Sequence, residues 1–98
     1  MSVASTFLAK VKLALRVNFN NFDSQITDLI EEAILDLTKT ADIKPFTTSD
    51  ADSLQTGAVI SYVQYKWFSD EKYLTIYNDM KTKMALSGTY RSVMPNEE

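Results

Sequence analysis

Neither cysteine nor histidine occurs in the 98 residues, and glycine and proline occur only twice each. Without cysteine there is no disulfide and no thiolate zinc site. Every mechanism that needs an imidazole base or a thiolate nucleophile is likewise excluded. An intracellular origin is compatible with this composition. The scarcity of glycine and proline favours helices over a turn-rich β architecture. Met1–Ser5 holds no basic segment followed by an apolar core, so no secretory signal is expected.

A basic footprint of useful size is also missing. The net charge is −3, and its distribution is uneven. Lys10, Lys12 and Arg16 give residues 1–16 a charge of +3, residues 17–56 carry −6, and the remainder balances. Proteins that grip nucleic acid through its phosphates need clustered cations, so non-specific DNA binding by a monomer is not expected.

What is present is apolar: 45% of the residues, in a length that suits one domain with a modest core. The most telling stretch runs from Gly57 to Phe68. At 100° per residue, Leu54, Ala58, Tyr65 and Phe68 cluster on one side, Val59 and Val63 point nearly opposite, and Ile60 and Trp67 lie between. A helix without a clean polar face has to be surrounded by protein or lipid. A membrane span takes roughly 20 mostly apolar residues, and Ser61, Gln64 and Lys66 interrupt this shorter run. It therefore reads as a central helix, partly covered by another subunit.

Around it the pattern predicts an all-α domain of four helices. The first covers about residues 6–16, with Phe7, Leu8, Val11, Ala14 and Leu15 on one stripe. The second, capped by Asp23 or Ser24, reaches about Lys39 on a stripe of Ile26, Leu29, Ile30, Ala33, Ile34 and Leu37. Ile43 and Phe46 flank Pro45 in a loop and should tuck back onto the core. Ser49-Asp50-Ala51-Asp52 resembles a capping box opening the central helix, about residues 53–68. The fourth covers about residues 70–86, aligning Tyr73, Ile76, Tyr77, Met80 and Met84, with Gly88 as its stop. Residues 1–88 thus form a helical domain, and residues 89–98 a C-terminal tail.

Asp28, Glu31, Glu32 and Asp36 fall off the apolar stripe of the second helix. A di-iron site needs inward glutamates and histidines, so these acids read as a solvated or partner-facing surface, not as a metal site. Leu35 sits among them, nearly opposite the stripe, either as an ordinary exposed leucine or as a small contact patch. Lys12 and Arg16, four residues apart on the first helix and directed away from Phe7 and Val11, read either as a solvated face or as a cationic patch. Sign separation of this kind suits a head-to-tail contact, in which Lys12 and Arg16 of one copy meet Glu31, Glu32 or Asp36 of the next. Tyr62, Tyr65, Trp67, Tyr73 and Tyr77 read from their helical spacing as core packing, in place of a base-stacking platform. Beyond the last helix, Tyr90, Arg91, Val93 and Met94 make the tail more apolar than an idle end, and mark it as a docking segment on its own domain or on a partner.

Together these segments resemble the small head–tail connector (adaptor) proteins of long-tailed bacteriophages and prophages. The likeness begins at Phe7-Leu8-Ala9-Lys10-Val11-Lys12-Leu13-Ala14-Leu15-Arg16-Val17 and continues through Phe22-Asp23 and the Ile26 to Ala33 helix. It passes along the central helix with its late Trp67 and closes on Tyr77-Asn78-Asp79-Met80-Lys81 through Tyr90-Arg91. It spans residues 7–91 and consists of spaced helix patterns, not catalytic signatures. The resemblance implies a non-enzymatic virion structural protein, assembled in the bacterial host cytoplasm as a ring of about a dozen copies. Such a ring sits below the portal, extends the DNA channel with DNA only as passing cargo, and offers a surface to the next connector or tail component. No cofactor, metal or membrane enters this expectation. Two alternatives stay open: a generic helical protein-interaction module, and a helix-turn-helix DNA-binding regulator reading through Asn78, Lys81 and Lys83.

Overall fold

Helix α1 (Ser5–Leu15) ends in a tight left-handed closure that a single residue supplies. Arg16 takes φ 61°, its N–H reaches the Leu13 carbonyl, and the Val17 N–H reaches the Lys12 carbonyl at 2.9 Å. This is a Schellman-type stop, formed without glycine. In this computed structural model, residues 3–41, 43–87 and 90 are described. Three further helices follow: α2 (Asp23–Thr40), α3 (Ser53–Phe68) and α4 (Glu71–Leu86). The protein is an all-α domain of four helices, with no strand among the described residues.

Two of the caps differ from the sequence expectation. No side chain caps α2: Phe22 holds the N-cap position, and Asp23 lies in the first turn. The Asp23 carboxylate faces the Lys12 ammonium at 2.8 Å instead. The capping box of α3 is Asp52 with Gln55, three residues later than expected. The Gln55 N–H donates to Asp52 at 2.9 Å, and the Asp52 N–H donates to the Gln55 side chain at 3.0 Å. Asp50 is occupied elsewhere, accepting the Thr47 N–H at 2.8 Å. Asp70 caps α4 by accepting the Lys72 N–H, and Ser87 follows the helix in extended conformation. Gly88, the expected stop, lies outside the described residues.

Helix α3 is the hub and packs on each of the other three. Ala58, Val59, Tyr62 and Val63 are buried on it, and Ile60, Tyr65 and Trp67 are half-buried. Phe68 is exposed at its end. The core closes with Val11 from α1, Ile26, Ile30, Ile34 and Leu37 from α2, and Tyr77 and Met84 from α4. Ile43 and Phe46 are buried from the loop, as expected. Gly57 lets α4 approach closely, since a Cβ there would stand 3.1 Å from the Met80 methyl. Ile76 departs from its expected place in the stripe and is exposed, because α4 turns only Tyr77 and Met84 fully inward.

Candidate functional site

The charged residues of α2 are partly drawn into the fold. Glu32 and Asp36 stand one turn apart and each accepts a hydrogen bond from a tyrosine hydroxyl, Tyr62 of α3 and Tyr77 of α4. A lysine one turn past each tyrosine completes the unit. Lys66 lies 3.6 Å from Glu32 and 5.7 Å over the Tyr62 ring; Lys81 lies 3.5 Å from Asp36 and 5.1 Å over the Tyr77 ring. The two rings meet edge-on with centroids 5.1 Å apart. Burial, reinforced by the carboxylate each hydroxyl touches, holds both tyrosines protonated well above their ordinary range. Glu32 stays exposed and Asp36 is half-buried, so this face is a surface as expected, with two of its acids engaged inside the chain. Their carboxylates tie α2 to α3 and α4.

Lys12 is engaged within the chain in the same way. Its ammonium pairs with Asp23, donates to the Asn20 side chain at 2.8 Å, and keeps only 14% of its side-chain surface. It secures the turn between α1 and α2 and is not a free cationic contact. Arg16 is exposed, as are Lys10 and Asp28, while Glu31 is half-buried. Leu35 stands out at 52% exposure, opposite the buried stripe, as its position implied.

Sequence reasoning missed the outer face of α1. Leu8, Ala9, Lys12, Leu13, Val17 and Asp23 are among the residues lining an open groove of about 500 Å³. Leu13 is 79% exposed on its rim. The available signal was the position of Leu13, off the Phe7–Val11–Leu15 stripe in a helix whose other outward residues include Lys10 and Arg16. The repeated spacing of Tyr62 with Lys66 and Tyr77 with Lys81, against Glu32 and Asp36, was a second unused signal.

The tail begins on its own domain. The Tyr90 carbonyl accepts the Lys44 N–H at 2.8 Å, and the Tyr90 hydroxyl donates to Asp52 at the start of α3. That hydrogen bond, with some burial, raises the Tyr90 hydroxyl above its usual value. Burial works upward on the Asp52 carboxyl, but the Gln55 N–H, the Tyr90 hydroxyl and the Leu54 N–H together hold it below the ordinary range. Tyr90 therefore belongs to the helical unit, and a boundary after residue 88 does not separate it. Arg91, Val93 and Met94 lie outside the described residues.

Among the described residues, no group of histidine, cysteine, aspartate and glutamate is placed to hold a metal, and no helix is long and apolar enough to cross a membrane. Lys81 and Lys83 each face an acid, Asp36 at 3.5 Å and Asp79 at 3.2 Å. No protein-family model matches the chain, and no curated protein and no solved structure matches it.

Proposed function

We propose that the chain is a non-enzymatic structural subunit of a phage or prophage virion, a head–tail connector that works as a ring on the portal. The ring, of about a dozen copies, extends the DNA channel and presents a face to the next connector or tail component. The observation that carries the reading is the distribution of exposed leucines. Leu13, Leu35 and Leu86 are exposed by 79%, 52% and 80% on α1, α2 and α4. Single exposed leucines need no explanation, but three on three helices give the subunit several apolar faces. A ring subunit with a neighbour on each side and a portal above needs several such faces.

The resemblance over residues 7–91 supplies the rest of the reading, and the order of four helices is compatible with it. A net charge of −3 also suits a ring around moving DNA, since a basic lining would retain phosphates by ion pairing. Co-sedimentation of the chain with portal rings from the same genome tests the proposal, and the expected result is saturable binding. A low-salt gel shift with duplex DNA, expected to show no complex, separates this function from a helix-turn-helix regulator. Failure to bind portal would overturn it.

A further inference from the structure

Tyr90 holds three parts of the chain together. Its N–H donates to the Ser87 carbonyl at 3.3 Å, which keeps it close to the end of α4. Its carbonyl accepts the Lys44 N–H at 2.8 Å, in the loop between α2 and α3. Its hydroxyl donates to Asp52, the N-cap of α3. The two oxygens of that carboxylate are divided between two tasks. Oδ1 accepts the Gln55 N–H inside the capping box, and Oδ2 accepts the Tyr90 hydroxyl. Tyr90 also forms one wall of a cleft of about 210 Å³, lined in addition by Lys44, Phe46 and Gln55 among others. Phe46 and Gln55 are buried behind it.

We infer that Tyr90 is a strap: it clips the loop at Lys44 to the start of α3 at Asp52, and its release loosens both together. A single hydrogen bond at a partly exposed site is weak, and the strap acts because its two clips share one residue. Closing one clip holds the partners of the other in place, so the second forms with little further loss of chain entropy. The shared Asp52 carboxylate carries the effect into α3, because the group that holds the strap is the group that caps the helix. Linkage makes the coupling reciprocal. Whatever draws Tyr90 away from Asp52 exposes the loop to opening, and whatever reshapes the loop at Lys44 frees Tyr90. The strap belongs to the single chain and asks nothing of the connector reading.

Amide hydrogen exchange on the 98-residue chain, read by nuclear magnetic resonance, tests the strap. The Lys44 and Gln55 amides should share one opening free energy, lower than that of the fully buried Val63 in the middle of α3. Tyr90→Phe removes the hydroxyl and leaves the Lys44 N–H its acceptor. Exchange at Gln55 should then rise about fivefold, and exchange at Lys44 should rise with it although its own bond is untouched. Asp52→Asn keeps a side chain able to cap the helix but takes the charge from the acceptor of Tyr90, and should speed Lys44 likewise. The double variant should add little at Lys44 beyond either single one, because both act through the same hydrogen bond. Unchanged exchange at Lys44 in Tyr90→Phe overturns the strap, as do additive effects in the double variant. Protection at Lys44 and Gln55 equal to that of Val63 also overturns it, since the segment would then open only with the whole domain.

Discussion

The Tyr77 hydroxyl of α4 donates a hydrogen bond to Asp36 of α2, joining two residues 41 apart in sequence. The ring is almost wholly buried, and Lys81 lies against the same carboxylate. Hydrogen bonds to charged groups contribute about 1.5–3 kcal/mol, and the partial exposure of Asp36 places this one toward the lower end. Tyr77→Phe should therefore lower stability by about 1–2 kcal/mol without changing the helical content. In a domain of this size each kcal/mol moves the Tm by roughly 4–8 °C, well within reach of thermal melting by circular dichroism. Tyr62→Phe should cost less, because Glu32 keeps more contact with water.

The same two tyrosines set the alkaline limb of stability. Both have folded-state values raised above the ordinary 10.0. Their contribution is present in full below that ordinary value and is lost as pH rises above it, since the unfolded chain releases the protons first. Stability should thus fall above about pH 10, and the share of tyrosinate absorbance that a Tyr62→Phe/Tyr77→Phe chain lacks should grow together with unfolding, not before it. The Tyr62→Phe/Tyr77→Phe chain should show a shallower alkaline decline. Asp52 acts in the opposite sense. Its lowered value gives a contribution present above the ordinary 3.8 and lost as pH falls through the folded-state value.

Much of this was legible in the sequence, and the failures share a cause. The buried stripe of α2, the return of Ile43 and Phe46, and the four helices follow from apolar periodicity, which records what each helix must hide. Periodicity does not record which long polar side chains reach over a neighbouring helix. Glu32 and Asp36 fall outside the stripe on a helical wheel, yet the tyrosines of α3 and α4 extend far enough to meet them. Lys12 looked free because its partners, Asn20 and Asp23, belong to the turn and to the next helix. Asp23 itself is already the first helical residue, one past the N-cap, and its carboxylate turns to Lys12.

Left-handed residues offer a separate check on the backbone. Arg16 and Ser69 adopt φ of 61° and 55°, a region that costs a residue with a Cβ about 1 kcal/mol relative to glycine. Ser69→Gly and Arg16→Gly should each raise stability by about 0.5–1 kcal/mol in chemical denaturation.

The interior of α3 tolerates no charge. Val63 is fully buried, and Val63→Asp would place a carboxylate among apolar side chains. A loss of about 3 kcal/mol or more is expected, enough to unfold much of the population of a marginal domain. An unchanged melting temperature would mean that α3 is peripheral.

Removal of residues 89–98 should now carry a measurable cost. The cut takes away the Tyr90 bonds to Lys44 and Asp52, so the truncated chain should stay helical but lose about 1–2 kcal/mol. Tyr90→Phe should account for only the hydroxyl share. Full stability after truncation would contradict the anchoring of Tyr90 on its own domain.

The function itself is decided by stoichiometry on the portal. Native mass spectrometry of purified portal rings mixed with excess chain, with electron microscopy of the same sample, gives copy number and position together. The account predicts a closed ring of about a dozen copies, seated on one end of the portal and continuing its channel. A chain that stays monomeric beside unaltered portal rings would contradict it.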